Sequence, residues 1–415
     1  MKINNKNIRY NVDAHHHGLF IKEARLRQGY RLIEVADEIC DISYLSKIES
    51  GMIIPRPEVF AKLAKKLEIH FPTQEQVCLT EIFRKALYQE DLSIIEPYLT
   101  LDIFHHYEIQ MFHFFHAILK GDLPKALILK KTIDQFHYHF DLKEEQLYML
   151  FSGIYFFKND EWEAGEECFK KSLDITYLTK EEDPYLCFEL AKYYFQIQKT
   201  CLGFSYLERA TSEFKKIFEK SWVFKCHILW CKESIKNDDI RNIEDRLEEL
   251  RNIINPNKDD LQWSSFFNIL AMICEKKEQN VQAEEYFSRS IEPRAGKIIA
   301  EFIIDKIKFH YRRQNNEQMI KLIDSLDLNV LSIRNKLLIE FYYFKAIDET
   351  SECFENFLRQ DAIPFAMKGL DHESAKLYTK ELTSLHRNKL SYKKVADAYY
   401  KWEKFCDKLN LIGQI

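Results

Sequence analysis

The fold of the first part of the chain is decided by a stretch that reads VADEI at residues 35–39, SYLSKIESG at 43–51 and IPRPEVFAKLAKKLEI at 54–69. In each segment apolar residues recur at the spacing of a helix with one buried face. Asp41 can accept hydrogen bonds from the N–H groups that begin the middle segment, and Gly51 suits the left-handed stop after it. The stretch therefore predicts three short helices joined by tight turns.

One more helix is predicted before this stretch, over Leu19–Gln28, with Gly29 as its stop. The second helix is then expected over Leu32–Ile39. Residues 1–18 are polar and include three consecutive histidines at 15–17. We interpret this segment as a flexible arm and not as a metal site.

Together these helices closely resemble the phage-repressor-like (XRE) helix-turn-helix family over Leu19–Ile69. In that family the third helix lies in the DNA major groove, and residues near its start contact base edges. The resemblance implies base contacts for Ser43, Tyr44, Ser46 and Lys47, with Ile42 near a thymine methyl group or the backbone. It also implies that Arg25, Arg27 and Arg31 are candidates for contacts with DNA phosphates. The acidic second helix leaves open an alternative, a domain that dimerises or docks without DNA.

Composition favours an all-α fold. Hydrophobic residues make up 46% of the chain and charged residues 30%, and only 10 Gly and 9 Pro occur among 415 residues. Long helices with short connections need few of these turn-forming residues. The net charge is +3 over residues 1–70 and −8 over the remainder, so the segment expected to meet DNA is the less acidic one.

Cysteine usage and hydropathy indicate a cytoplasmic protein. None of the ten cysteines forms a Cys-x-x-Cys pair, which argues against a zinc ribbon or a thioredoxin-type site. No signal segment and no apolar run long enough to span a membrane is evident. Phosphate-binding loops, nucleophile elbows and His-Glu-x-x-His motifs are missing as well, so we expect no enzyme, cofactor or bound metal.

The chain after residue 76 carries a repeat of helix pairs. In a tetratricopeptide-like repeat, small residues stand where the two helices of a pair approach each other, and bulky residues follow at fixed offsets. Windows of this kind begin at Phe114, Gly153, Ala191, Cys231 and Ala271, so that one pair recurs about every 40 residues. The sequence predicts a flexible arm over 1–18, a helix-turn-helix domain over 19–72 and a right-handed α-solenoid over 76–415.

The first helix of each pair should line the concave face of this solenoid. Apolar and aromatic side chains with a few Lys and Asn suit an extended peptide, because Asn can pair with a peptide backbone and Lys with a carboxylate. The template assigns to this face Tyr185, Phe188, Lys192, Phe195, Lys225, Ile228, Lys232, Ser265, Asn268 and Met272.

The whole architecture resembles the Rgg, Rap, NprR, PlcR and PrgX group of peptide-sensing regulators of Gram-positive bacteria. The length of the array is most like that of NprR. The resemblance implies a homodimer that binds double-stranded operator DNA and a short signalling peptide, with no membrane partner. Two alternatives stay open: a protein-interaction regulator of the phosphorelay-inhibitor or phage lysis–lysogeny type, and a DNA-binding repressor without a ligand, whose groove its own side chains would fill.

Overall fold

The computed structural model describes residues 18, 21–22, 24–26, 28–50, 52–53, 55–67, 79–99, 107–159, 161–179, 182–239, 241–254, 261–292, 300–328 and 331–411. All regular secondary structure in these ranges is helical, which confirms the predicted all-α fold. No helix within them is long and apolar enough to cross a membrane. The chain divides into two compact units, Met1–Glu181 and Glu182–Ile415. Residues 1–17 of the predicted arm and the predicted domain boundary near residue 72 lie outside the described residues.

The first four helices form the predicted helix-turn-helix domain. They are α1, which contains the described helical residues 18, 21–22 and 24–26, and then α2 (Leu32–Ala36), α3 (Ile42–Glu49) and α4 (Pro57–Lys66). Their apolar faces meet in one core that includes Ile21, Val35, Leu45, Ile48 and Leu63. Burial of these faces is what holds such short helices together, since a helix of one or two turns is unstable in isolation.

Three local predictions need adjustment. The second helix ends at Ala36, short of Ile39, because the chain turns at Glu38 with a left-handed φ of 60°. Asp41 does occupy the N-cap of α3, but its side chain makes no capping hydrogen bond. Gly18 belongs to α1 and not to the arm: a Cβ there would lie 1.8 Å from the Ile48 carbonyl oxygen, so only glycine allows this approach.

The described part of the rest of the first unit consists of further helices and two 3₁₀ segments. The helices are α5 (Leu79–Tyr88), α6 (Glu96–Leu99), α7 (Tyr107–Lys120), α8 (Leu123–Ile133), α9 (Leu142–Lys158) and α10 (Trp162–Thr179). The 3₁₀ segments are Leu92–Ile94 and Asp134–His139. α7 packs on α8 and α9 on α10. Gly153 is needed in the second pair, because a Cβ on it would lie 2.8 Å from the Phe169 ring.

The second unit continues the series. Its helices are α11 (Pro184–Gln196), α12 (Thr200–Lys216), α13 (Lys220–Lys236), α14 (Ile243–Ile253), α15 (Leu261–Lys276), α16 (Asn280–Ile291), α17 (Ala300–Arg312), α18 (Asn316–Asp324), α19 (Ile333–Ile347), α20 (Glu352–Phe357), α21 (Ile363–Lys368), α22 (His372–Asn388) and α23 (Tyr392–Leu411). A π-helical turn, Leu358–Ala362, joins α20 to α21.

The predicted repeat is present in the backbone. Consecutive helices α11 and α12, α13 and α14, and α15 and α16 pack as pairs. The turn inside each pair places one residue in the left-handed region, and these residues are Gln198, Asp238 and Glu278, with φ of 63°, 57° and 60°. Their numbers differ by 40 each time. The same turn thus recurs with the period that the small-residue spacing predicted.

A buried histidine connects α12, α13 and α14. His227 is fully buried, with Nε2 2.7 Å from Oε2 of Glu249 and Nδ1 3.2 Å from Nη1 of Arg246. Arg246 also pairs with Glu208, and Lys215 Nζ lies 2.7 Å from Oε2 of Glu249. Because a guanidinium can only donate, Nδ1 must accept, and the imidazole is neutral. Burial lowers the pKa of His227 to about 4, with Arg246 and Lys215 acting in the same direction against Glu249.

We expect this histidine to make the protein sensitive to acid. As the pH falls from the ordinary histidine pKa of 6.5 toward 4, the unfolded chain takes up a proton that the folded imidazole refuses, so the free energy of unfolding falls. The loss should amount to about 3 kcal/mol from this group. Replacement His227→Gln should flatten the decrease, measured by urea unfolding followed through tryptophan fluorescence. The half-exposed His137→Gln is the control, and equal slopes in both variants would contradict the assignment.

Candidate DNA-binding helix and ligand groove

The outer face of α3 presents most of the residues predicted to contact base edges. Ile42, Ser43, Ser46 and Lys47 are all exposed, and the spacing of three and four places them on one side of the helix. Leu45 and Ile48 on the opposite side are fully buried and fix the helix against the rest of the domain. The side chains on the outer face are thus free to meet another surface while the helix is held rigidly.

Tyr44 differs from its neighbours because it also supports the fold. It is half-buried against the domain core, and its hydroxyl accepts a hydrogen bond of 3.3 Å from the backbone N–H of Arg56. The ring therefore fixes the start of α4 relative to α3. The predicted set Ser43, Tyr44 and Lys47 shares one region of surface, with Tyr44 presenting only part of its side chain.

The three predicted phosphate contacts have different outcomes. Arg25 is only 8% exposed, and its guanidinium donates to Glu49 through Nε (2.7 Å) and Nη2 (2.8 Å) and to the Tyr30 carbonyl (3.0 Å). With its donors engaged inside the domain it cannot reach a phosphate, so that prediction is wrong. Arg31 is exposed at the N-cap of α2 and stays a candidate. Arg27 lies outside the described residues.

In the second unit, one side of α13 faces other helices of the array. Lys225, Ile228, Lys232 and Lys236 follow each other at spacings of three and four residues. Although α13 packs along α12, α14 and α15, the Lys232 ammonium lies 5.7 Å from the centre of the Phe302 ring on α17. A side chain that reaches past its neighbouring helix in this way lies on the inner side of the array, which supports the predicted concave face.

Asn268 on α15 occupies the position that Ile228 has on α13, 40 residues earlier, and is completely buried. Neither its Nδ2 nor its Oδ1 has a hydrogen-bond partner within the described part of the chain. A buried amide without partners costs about 1–3 kcal/mol. Its neighbours on this side of α15, Ser265 and Met272, are half-buried, and Ser265 donates to the Leu261 carbonyl at 3.2 Å.

The predicted groove residues of α11 are mostly used for packing. Tyr185 and Phe188 are buried with their rings edge-on to Trp222, at centroid distances of 5.2 and 5.4 Å. Phe195 is buried inside its own pair, where its ring would lie 2.6 Å from a Cβ on Gly203. The prediction that these three residues line the groove is wrong, because helix packing already covers their rings. Lys192 is exposed, and its ammonium lies 2.8 Å from Oε2 of Glu189.

Sequence reasoning missed several contributors to this face. Trp222 joins α11, α12 and α13: its ring stacks on Phe214, and the Lys225 ammonium lies 4.3 Å from its centre. Burial lowers the pKa of Lys225. Phe302, Lys236 and Glu373 were not predicted either, because only the curvature of the array brings residues of α17 and α22 to α13. In the described ranges, no group of three His, Cys, Asp or Glu side chains is arranged to hold a metal ion.

Comparison with known proteins agrees with the helix-turn-helix geometry of the first helices. Residues 21–73 match a family model described as helix-turn-helix. The transcriptional activator NprA of Geobacillus stearothermophilus is 22% identical over 405 residues, which are 88% of this chain and 97% of NprA. The N-terminal match is thus to a helix-turn-helix family, and nearly the whole chain is similar to a transcriptional activator.

Solved structures of NprR and of a Rap protein show the same fold. NprR in complex with its cognate peptide NprX has a TM-score of 0.60 at 18% identity, over 78% of this chain and 97% of that chain. A Rap protein complexed with Competence and Sporulation Factor has a TM-score of 0.53 at 15% identity, over 80% of this chain and 96% of that one. The predicted succession of helix-turn-helix domain and paired helices is thereby confirmed, and the similarity to a transcriptional activator agrees with the expectation of a non-enzyme.

The Arg25–Glu49 pair should be essential for the stability of the helix-turn-helix domain. Removing one partner with Glu49→Ala leaves a buried guanidinium unpaired and should cost about 3–5 kcal/mol. The combined replacement Arg25→Met with Glu49→Leu should cost much less, because no buried charge remains. Chemical unfolding measured by circular dichroism tests this, with exposed Glu58→Ala as the control. Comparable losses for the double replacement and Glu49→Ala would contradict the explanation.

Proposed function

We propose that the protein is a cytoplasmic, homodimeric, sequence-specific DNA-binding regulator of transcription whose second unit binds a short signalling peptide. The exposed face of α3, the match to a helix-turn-helix model and the similarity to a transcriptional activator support the DNA-binding part. The structural similarity to NprR, whose solved complex contains its cognate peptide, supports the second part through the shared fold.

The observation that carries peptide binding is the amide of Asn268. An Asn side chain offers one carbonyl and one N–H₂ group, so it can pair with both the N–H and the C=O of a peptide backbone. No described residue satisfies either group. A peptide strand laid along α15 would supply both partners and remove the cost of burying them. Since Asn268 is 0% exposed, the side chains that cover it have to move first.

A peptide can control DNA binding only through a difference in affinity between two conformations. If it prefers one curvature of the paired helices, it shifts the population toward that curvature. A coupling of about 1–3 kcal/mol changes DNA affinity by about 5–150-fold. The free energy regained at Asn268 is of this size, so one amide can contribute a substantial part of the coupling.

The first test concerns α3. Operators are selected from random double-stranded DNA with the unaltered protein, and Ser43→Ala and Lys47→Ala are then compared on the selected and on scrambled sequences. Replacement of a residue that contacts a base edge should lower the affinity for the selected DNA by about 10–100-fold and relax the sequence preference at one position. If Lys47 contacts a phosphate, Lys47→Ala should instead weaken binding to the selected and the scrambled DNA alike and reduce the salt dependence of binding.

The control for α3 is exposed Lys85→Ala on α5, a loss of the same charge outside the helix-turn-helix domain. If neither change on α3 alters DNA binding beyond this control, the protein does not read DNA through α3. A domain that only docks or dimerises, as in the protein-interaction alternative, would select no operator at all.

The second test concerns Asn268. The purified protein is titrated with a short apolar peptide encoded beside its own gene, and the melting temperature is recorded. At a hundred times its dissociation constant a peptide that binds only the folded state adds about 2.7 kcal/mol. Replacement Asn268→Leu should abolish this shift while leaving the protein without peptide as stable or more stable, because a buried amide without partners is removed.

Exposed Asn252→Leu on α14 is the matched control and should keep the shift. A shift that survives Asn268→Leu would place the peptide elsewhere. The absence of any shift with neighbouring peptides, while DNA binding persists, would favour the regulator without a ligand.

A further inference from the structure

A salt bridge connects two distant helices of the second unit. Nζ of Lys236, in the last turn of α13, lies 3.5 Å from Oε1 of Glu373, in the first turn of α22. In their main packing contacts, α13 meets α12, α14 and α15, and α22 meets α21, α23 and the π-helical turn Leu358–Ala362. The two side chains therefore meet across the inner side of the array and not within a helix–helix interface.

The cation of this salt bridge is part of the proposed groove. Lys236 follows Lys232 by one helical turn, and both side chains extend from α13 toward later helices, to Glu373 and to the Phe302 ring. Lys236 also contacts Oε1 of Glu233 at 2.9 Å. Burial lowers the pKa of Lys236, but Glu373 and Glu233 outweigh it and leave the pKa raised, so the ammonium stays charged at neutral pH.

The salt bridge is accessible and weak enough to exchange partners. The side chains of Lys236 and Glu373 are 42% and 54% exposed. Such exposed pairs contribute about 0–1 kcal/mol, and salt weakens them further. Of the described residues, none forms an ion pair with Lys232. A carboxylate that entered here would meet two ammonium groups and would have to displace only one carboxylate.

We propose that Lys236 and Glu373 form a clasp across the groove, in which Glu373 occupies the position of a ligand carboxylate. This inference rests on the proposed peptide binding and adds the chemistry of the peptide. The peptide carries an acidic group, which is an Asp or Glu side chain or the C-terminus of the peptide. That group replaces Glu373 on Lys236 and releases α22 from α13. The clasp thus links recognition of an acidic peptide to the curvature of the array.

Zero-length cross-linking tests the clasp directly. A water-soluble carbodiimide joins an amine and a carboxylate that are in contact, and mass spectrometry of the full-length protein then reports whether Lys236 is joined to Glu373. The Lys215–Glu249 pair, 2.7 Å apart and likewise exposed, is the internal standard. The probe is N-acetyl-tetra-aspartyl amide, compared with N-acetyl-tetra-asparaginyl amide at equal ionic strength.

We expect the Lys236–Glu373 cross-link in the protein alone. With the aspartyl probe it should be replaced by an adduct between the probe and Lys236, while the asparaginyl probe leaves it unchanged. Replacement Glu373→Gln should raise the yield of this adduct by up to about fivefold, the equivalent of one exposed salt bridge. Glu301→Gln, in the first turn of α17, should not change it, and Lys236→Met should abolish both products.

Two results would overturn the clasp. One is the absence of the Lys236–Glu373 cross-link where the Lys215–Glu249 cross-link forms. The other is an equal loss of both cross-links with the aspartyl probe and no adduct on Lys236 above that on Lys215. Because the probe does not depend on the natural peptide, these results leave the proposed function standing. If instead the clasp behaves as expected but no neighbouring peptide stabilises the protein, the proposed function alone is contradicted.

Discussion

The second unit depends on the close approach of two helices at positions where only a small side chain fits. Ala191, Gly203, Ala271 and Ala283 stand where helices of a pair approach, and the three alanines are fully buried. At Gly203 the Phe195 ring occupies the space that a Cβ would need. Protein interiors are packed as tightly as organic crystals, so such contacts leave little freedom for the angle within a pair. Each pair is then a nearly rigid unit, and stacking such units determines how the array curves.

This constraint also explains where polar groups on the inner side of the array can be found. The faces of α11, α13 and α15 that pack on neighbours are apolar, and the residues between them are not required for that packing. Lys232 and Lys236 occur at such positions, whereas Asn268 is fully buried. A lysine at the surface costs little, but a fully buried amide without partners is unfavourable for folding. Asn268 is thus the residue of this face that packing explains least and that a peptide ligand explains best.

Much of this fold could be predicted from local sequence patterns. The exposed face of α3 follows from apolar residues within one or two turns of each other, and the paired helices and the 40-residue period follow from small residues that recur along the chain. Arg25 could not be assigned correctly in this way, because a basic residue near a helix-turn-helix looks the same whether it faces DNA or Glu49 inside the domain. Phe195 was misassigned for a similar reason: the template fixes its place on α11, but not the direction that the ring takes beside Gly203.

One contact that sequence patterns did not predict depends on the sum of many small rotations between pairs. Lys236 and Glu373 belong to α13 and α22, so their separation depends on how the intervening helices are stacked. This dependence makes the pair a sensitive indicator of curvature, since a small change in each interface adds up at its two ends. A ligand bound near α13 and α15 therefore needs only a modest free energy to separate the two charges. The about 1–3 kcal/mol available from Asn268 exceeds the about 0–1 kcal/mol that holds an exposed salt bridge. On these magnitudes the proposed peptide contact at Asn268 would contribute more than the clasp to the curvature that a bound peptide favours.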